Sequence, residues 1–472
     1  MVFSSVLFLF IFLPVFLLIY HLLDKRFKNS FALAASLSFY AWGAPDFITL
    51  ALISIFIDFL IVRGMNMSQG RLRFFLLWLS ILLNVGFLAY FKYANFFIEN
   101  VNQLLSSFSK SPIEWTSIVL PIGISFYTFQ KISYSIDIYR KVKPPLNNLF
   151  DYALYIMLFP QLIAGPIVRY NEIADQLISR DHYNWDDKIL GLFRFSIGLA
   201  KKVLIANVVG AKADLIFSLN PAEISTSEAW LGILCYTFQI YFDFSGYSDM
   251  AIGLGRMMGF TFPENFNSPY ISKSITEFWR RWHITLSSWM RDYLYIPLGG
   301  NKVATQSRLY FNLWLVFIIS GLWHGAAWTF VIWGVYHGFF LIIERLFFNK
   351  LSQNWPSALK VLLTFFIAVN SWVLFRADYF SFALDYYKAL YSFNFSDLSN
   401  YLDAHLLTIL VFAIFMSFGA IWKKLYHSYN GLLQHHGISS SFIKVGASLL
   451  FIFLSASEII SSSFNPFIYF RF

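Results

Sequence analysis

The chain has 472 residues, of which 58% are hydrophobic and only 13% are charged, whereas an average soluble domain has roughly 25% charged residues. This balance excludes a water-soluble enzyme, because soluble domains need far more polar side chain to cover their surfaces. The net charge is +9, but lysine and arginine occur in short clusters between apolar runs, a pattern that indicates membrane orientation and excludes nucleic-acid binding.

Apolar runs of about the ~20 residues that cross a bilayer recur along the sequence. The first run lacks a basic region and a small-residue cleavage site, so we expect it to stay as a membrane anchor. A shorter run at 31–42 favours a re-entrant or interfacial helix. The pattern predicts an all-α, polytopic transmembrane helical bundle forming a single membrane domain, 1–472, with spans at 2–23, 47–62, 74–91, 118–138, 149–168, 189–219, 229–260, 309–330, 331–348, 359–375, 406–422 and 442–460.

Basic residues set the expected orientation. A cluster at 25–28 closes the first span and no positive residue precedes it, so the N-terminus should face outside. Lys423 and Lys424 mark a cytoplasmic loop, and a C-terminal span with an external tail, 440–472, would return the chain to the outside. Both termini on one face require an even number of crossings.

A polar segment interrupts the apolar pattern between residues 263 and 302, where N-F-N-S-P-Y is followed by I-T-E-F-W-R-R-W-H. Arg280, Arg281 and His283 would be expensive in hydrocarbon. We therefore expect this segment to line a cavity, to pair internally or to lie at the interface, and its tryptophans favour the last two.

A second polar intrusion is His324, within the apolar stretch G-L-W-H-G-A-A-W-T-F. An ionisable residue at such a depth is a functional candidate, and a neutral imidazole can act as general base toward a hydroxyl. The alternative is a hydrogen bond to another helix. His337 competes for the role, but thirteen residues along one straight helix would separate the two by roughly 20 Å, which excludes one shared small site.

The sequence resembles the membrane-bound O-acyltransferase family, and within it the alginate O-acetyltransferase membrane-subunit branch. The resemblance covers the opening M-V-F-S-S, the stretches F-P-Q-L-I-A-G-P-I-V-R-Y and Q-I-Y-F-D-F-S-G-Y-S-D-M-A-I-G, and the R-R-W-H and G-L-W-H-G segments. It implies re-entrant or interfacial helices around a central tunnel, with a catalytic core at about 117–345. It also implies that His324 is catalytic and that His283 is a second catalytic histidine, which could organise the donor or shape the tunnel.

Further residues become candidates for the donor tunnel. Trp282 and Trp323 precede the two histidines, and Asp243 and Asp249 of F-D-F-S-G-Y-S-D could orient a histidine or bind a hydroxyl, or else pair with Arg281 or Arg291. The adjacent Arg280 and Arg281 could meet the phosphates of a donor, or could only anchor the chain at the cytoplasmic interface.

The sequence shows no metal motif and no phosphate-cradling Walker loop, and its single cysteine, Cys235, is most simply a small core residue. We therefore expect no metal and no bound cofactor, with the energy supplied by an activated donor, acetyl-CoA. The tail N-P-F-I-Y-F-R-F resembles the tyrosine-bearing C-terminus of the small companion protein of D-alanyl teichoic acid transfer. Tyr469 is accordingly a candidate acyl relay, or alternatively an interfacial aromatic anchor.

The resemblance implies a membrane acetyltransferase of the bacterial inner membrane that passes acetyl groups from cytoplasmic acetyl-CoA to an extracytoplasmic polysaccharide. Alginate is the expected acceptor, with peptidoglycan or another exopolysaccharide as the alternative. An extracytoplasmic SGNH-type acetyltransferase is the expected protein partner, within a setting of membrane lipids. Two other classes remain open, namely a transporter of a lipid-linked sugar or acyl carrier and a non-enzymatic scaffold.

Overall fold

A computed structural model describes residues 2–180, 184–419, 431, 438–462 and 464–466. Helices make up 76% of the structure, and the described part contains no strand, which confirms the all-α prediction. The chain divides into two compact units. The first comprises Met1–Tyr183 with Met258–Pro263, and the second comprises Asn184–Met257 with Glu264–Phe472.

Two helices of the first unit begin after polar residues whose side chains accept a hydrogen bond from a free N–H group of the first turn. The Asp24 side chain accepts from Arg26 N before one helix, and Asn148 accepts from Asp151 N before another. In chain order the helices are α1 (Leu13–Leu22), α2 (Lys25–Gly43), α3 (Ile48–Met67), α4 (Gly70–Ser107), α5 (Ile124–Tyr139), α6 (Leu149–Met157), α7 (Phe159–Leu162) and α8 (Tyr170–Ile178).

A buried carboxylate holds part of the first unit together. Asp58 on α3 is 3% exposed and accepts hydrogen bonds from Ser80 and Asn84 of α4, both at 2.7 Å, and from the Tyr152 hydroxyl of α6. A carboxylate inside an apolar bundle needs such donors, because leaving it unpaired would be costly. These bonds therefore fix three helices against one another.

The second unit contains the longer part of the chain. Its helices are α9 (Trp185–Ala200), α10 (Asn207–Phe217), α11 (Thr226–Met258), α12 (Ile275–Arg281), α13 (Ile284–Met290), α14 (Gln306–His324), α15 (Trp328–Ile343), α16 (Asn349–Leu351), α17 (Ser357–Arg376), α18 (Phe380–Leu390), α19 (Ala404–Phe418) and α20 (Ile438–Ser461).

Glycines allow α9 and α11 to cross at backbone contact. A Cβ on Gly198 would lie 2.4 Å from the Gly246 carbonyl oxygen, and one on Gly253 would lie 2.5 Å from the Gly191 carbonyl oxygen. Both distances are below any normal Cβ contact, so only glycine fits at these crossings. The close approach brings the charged side chains that follow α9 within reach of α11.

Five described helices are long and apolar enough to cross a membrane, and two shorter ones are also apolar, so the chain is a multi-pass membrane protein. The five are Pro45–Met67, Gly70–Ser107, Trp328–Leu351, Ser357–Arg376 and Ser439–Ser461, and the shorter ones are Phe8–Leu22 and Ala404–Phe418.

Several expected spans take a different form in the structure. The run at 149–168 is not one helix, because Leu158 leaves the helical conformation and separates α6 from α7, and Pro160 then lies in the first turn of α7, where its missing N–H is tolerated. The run at 118–138 becomes helical only at Ile124, after Gly123 with its φ of 76°. Residues 31–42 lie within the longer helix α2.

Candidate functional site

The helical hairpin α14–α15 positions His324, which is the last residue of α14. A Cβ on Gly321 would lie 2.2 Å from the Phe330 carbonyl oxygen, and a Cβ on Gly334 would lie 2.4 Å from the Phe317 carbonyl oxygen. The two helices therefore touch through their backbones on both sides of the turn. The chain reverses direction immediately after the histidine.

Aromatic rings enclose the His324 imidazole, which belongs to a residue only 5% exposed. Its ring centroid lies 5.0 Å from that of Trp323, 5.3 Å from that of Trp333 and 5.1 Å from that of Phe375. Such walls exclude water and lower the local dielectric constant, so charge interactions within the site are stronger than in solution.

A second histidine faces the same place. The His283 ring centroid lies 6.3 Å from that of His324 and 5.9 Å from that of Trp323. The two imidazoles come from different segments of the chain, namely the α12–α13 junction and the end of α14. The structure thus brings together the two histidines that the family resemblance implies as catalytic.

The backbone at His283 has a left-handed conformation, with a φ of 44°, which is uncommon for a residue other than glycine and costs about 1–3 kcal/mol. Surrounding contacts hold it in place. The Ile284 N–H donates to the Asn265 carbonyl at 2.9 Å, and the Phe244 ring packs edge-on against the imidazole at 4.7 Å.

Asn265 is a site residue that the sequence reasoning did not single out, although it lies within the quoted N-F-N-S-P-Y stretch. Its Oδ1 lies 3.1 Å from His283 Nδ1 and accepts from the Thr285 hydroxyl at 2.8 Å, while its Nδ2 donates to Ser248 Oγ at 3.0 Å. Burial lowers the pKa of His283 to about 3 because the charged imidazolium is poorly solvated there. The imidazole is therefore neutral near neutral pH.

His337 is also close to this site, whereas one straight helix would have placed it far from His324. Because the chain reverses after His324, the Trp333 ring contacts both imidazoles, with centroids 5.3 Å from His324 and 4.8 Å from His337. Trp279 donates its indole N–H to His337 Nδ1 at 3.4 Å. His337 therefore contributes to the wall behind Trp333.

The two aspartates of α11 are buried in ion pairs. Asp243 lies 2.8 Å from Lys202, and Asp249 lies 2.6 Å from both Arg194 and Lys201. These cations belong to α9 and to the π-helical turn that follows it, Lys201–Ala206.

The alternative pairing of these aspartates with Arg281 or Arg291 is wrong. Arg281 pairs with Glu277 one helical turn away at 2.9 Å, and Arg291 pairs with its neighbour Asp292 at 2.6 Å. Glu277 lies one turn before Arg281 on the same face of α12, which favours that pair, and Asp292 is adjacent to Arg291 in the chain.

The tail approaches the Lys202–Asp243 pair. Lys202 Nζ donates to the Pro466 carbonyl, and Asn207 Nδ2 donates to the Asn465 side-chain oxygen at 3.3 Å. Tyr469, Lys423 and Lys424 lie outside the described residues.

The remaining candidates directly precede His283 in the chain. Arg280 is exposed and Arg281 is partly buried. The Trp282 ring is buried against Trp372 at 4.9 Å, and Trp372 packs at 5.6 Å against Phe375, the ring that also contacts His324. A continuous aromatic wall thus connects the segment that bears the two arginines with the imidazoles.

Comparison with known proteins shows which family and which relatives the chain is similar to. The model of the membrane-bound O-acyltransferase family matches residues 69–384. A probable alginate O-acetylase of Pseudomonas aeruginosa is 49% identical over 86% of this chain and 78% of its own length. The peptidoglycan O-acetyltransferase of Helicobacter pylori is 40% identical over 84% of this chain and 80% of its own length, and the teichoic acid D-alanyltransferase of Bacillus subtilis is 32% identical over 55% and 69%.

Proposed function

The chain belongs to the membrane-bound O-acyltransferase family and is an acyltransferase, and from this premise we propose that it O-acetylates an extracytoplasmic polysaccharide from cytoplasmic acetyl-CoA. The observation that carries the proposal is the pair of buried imidazoles, His283 and His324, whose ring centroids are 6.3 Å apart within an aromatic enclosure. We take the catalytic core to be about 117–345.

In the proposed reaction His324 acts as general base. It takes the proton of the accepting hydroxyl as the oxygen attacks the acetyl carbonyl carbon, a C–O bond forms and the C–S bond of the thioester breaks. The imidazolium then returns the proton to the departing thiolate, so that free thiol and an acetyl ester are the products. The enclosing tryptophans would keep water from competing as the acceptor.

Acetyl-CoA as donor is supported by the charge on the approach to the site. Arg280 is exposed, so its guanidinium group is available to the phosphates of a nucleotide donor, whereas Arg281 is engaged with Glu277 and the Asn267 carbonyl. Trp282 follows directly, and its contacts through Trp372 and Phe375 reach His324. An acyl arm could lie along that aromatic wall.

We propose alginate as the acceptor, because the relative named as a probable alginate O-acetylase is 49% identical over most of the chain. Peptidoglycan is the second candidate, supported by a relative named as a peptidoglycan O-acetyltransferase at 40% identity. Delivery to the polymer would use an extracytoplasmic SGNH-type partner, with Tyr469 as the acyl relay. The chain would reside in the bacterial inner membrane with both termini extracytoplasmic.

The test uses the purified full-length chain in detergent micelles with radiolabelled acetyl-CoA, alginate oligosaccharides and the partner acetyltransferase. We expect turnover in the native chain and a loss of at least about 10²-fold in His324→Ala, since general base catalysis supplies roughly 10²–10⁴-fold. His405→Ala is the matched control, because His405 is an exposed histidine at the start of α19, and it should retain native turnover.

Two outcomes would separate the parts of the proposal. Undiminished turnover in His324→Ala, or transport of a lipid-linked sugar without any dependence on acetyl-CoA, would overturn the acyl-transfer mechanism. Unchanged labelling of the acceptor in Tyr469→Phe would remove only the relay.

A further inference from the structure

The amide of Asn265 has only one orientation that its surroundings allow. Its Oδ1 lies 3.3 Å from the Thr285 backbone nitrogen and 2.8 Å from the Thr285 hydroxyl. A backbone N–H can only donate, so the atom that faces it must be the amide oxygen. The amide nitrogen then faces Ser248 Oγ at 3.0 Å, and a hydroxyl oxygen accepts that bond.

This orientation fixes the tautomer of His283. The atom of Asn265 that lies 3.1 Å from His283 Nδ1 is the same oxygen, so Nδ1 must carry the proton and donate. In a neutral imidazole the other nitrogen is then a hydrogen-bond acceptor. His283 Nε2 is buried and has no hydrogen-bond partner within the described ranges of the chain. A buried acceptor without a partner is unusual in a native structure.

Three rings border the His283 imidazole. Its centroid lies 5.9 Å from that of Trp323, 6.3 Å from that of His324 and 4.7 Å from that of Phe244. Of these neighbours, Phe244 has no hydrogen-bond donor. The two ring centroids are close enough for one substrate group bound at His324 to contact this imidazole as well.

We propose that Asn265 is a positioning residue that locks His283 in the Nδ1–H tautomer, so that Nε2 accepts a hydrogen bond from an O–H or N–H group of a substrate bound at His324. The inference rests on the proposed function for the identity of the substrates. Two substrate groups have the donor that Nε2 requires. One is a hydroxyl of the sugar acceptor, and the other is an amide N–H of the pantetheine arm of acetyl-CoA. His283 orients the substrate, and His324 takes the reacting proton.

The Asn265→Ala and Asn265→Asp variants test the lock, since the carboxylate keeps an acceptor for Thr285 and for His283 Nδ1 whereas alanine removes it. Long-range ¹⁵N–¹H NMR of histidine-labelled protein in micelles reports which ring nitrogen carries the proton. We expect the Nδ1–H form in the native chain and in Asn265→Asp, and a mixture of tautomers in Asn265→Ala. A native Nε2–H form, or a single tautomer unchanged in Asn265→Ala, would overturn the inference even if turnover is normal.

Kinetics identify the source of the donor group. Asn265→Ala should raise the KM for one substrate by about tenfold, the scale of one hydrogen bond. A change in the KM for acetyl-CoA indicates the amide, and a change in the KM for alginate oligosaccharide indicates the hydroxyl. No change in either contradicts the proposal. In Asn265→Asp the carboxylate favours the imidazolium and raises the pKa of His283, so the loss of activity on acidification should begin at higher pH.

Ser248→Ala is the matched control, because it removes the other hydrogen bond of the amide and leaves Oδ1 in place. Its tautomer and both KM values should be those of the native chain. A complete absence of turnover in the native chain would refute the proposed function, while the NMR result would still decide whether Asn265 sets the tautomer.

Discussion

Replacing Gly321 with alanine tests whether the close crossing of α14 and α15 positions His324. A Cβ at this residue would lie 2.2 Å from the Phe330 carbonyl oxygen, and it must withdraw to about 3.0 Å because real Cβ atoms essentially never come closer. The obstacle is backbone, so the helices themselves must separate. His324 ends α14 one turn later, and its imidazole should therefore shift by a similar distance relative to His283.

A misplacement approaching 1 Å costs roughly 10²-fold in rate, and overpacking of this kind costs about 1–3 kcal/mol in the free energy of unfolding. We expect Gly321→Ala to lower the rate of acetyl-CoA turnover and to lower the midpoint of thermal unfolding, both measured in micelles. Gly446→Ala is the matched control, because it lies within α20 and a Cβ there meets nothing within 4 Å. Native turnover in Gly321→Ala, or equal losses in both variants, would refute the reasoning.

Further substitutions probe three buried polar contacts. Lys202→Met removes the cation 2.8 Å from Asp243 and should cost about 3–5 kcal/mol of unfolding free energy, much of which Asp243→Leu should restore in the double variant. Thermal unfolding of the two single variants and the double variant measures the coupling, and strict additivity would contradict it. Glu344→Ala removes the side chain that accepts from the Ile275 N–H at 2.7 Å at the start of α12, so turnover should fall, and Glu344→Gln should recover part of it. Asp58→Ala removes the acceptor that Ser80, Asn84 and Tyr152 share and should cost about 1–3 kcal/mol of unfolding free energy, measured by thermal unfolding. An unchanged midpoint would contradict that role.

The sequence predicts the all-helical membrane class because hydropathy and charge scarcity act over the whole chain. The hydropathy pattern does not predict where a helix is interrupted. At Leu158 an apolar run that looks like one span becomes two short buried helices. Whether a helix continues depends on the backbone angles of single residues such as Leu158, and the average hydropathy of a run does not report those angles.

The sequence likewise indicates some residues of the candidate site and not others. His324 and His283 stand out in sequence because imidazoles are rare within apolar segments. Asn265 does not, because its importance arises only when the chain folds back so that the Ile284 N–H bonds its carbonyl. The cations paired with Asp243 and Asp249 likewise follow from the crossing of α9 and α11, and no spacing along the sequence indicates them.

Transfer across a sealed membrane tests the proposed reaction most directly. The chain would be reconstituted in vesicles with radiolabelled acetyl-CoA confined to the face that carries Arg280, and with an alginate oligosaccharide acceptor and the partner acetyltransferase on the other face. We expect labelled acetyl ester on the acceptor with the native chain and with His405→Ala, and at least about 10²-fold less with His324→Ala. Equal labelling with His324→Ala, or labelled acetyl-CoA itself crossing the membrane, would contradict the account.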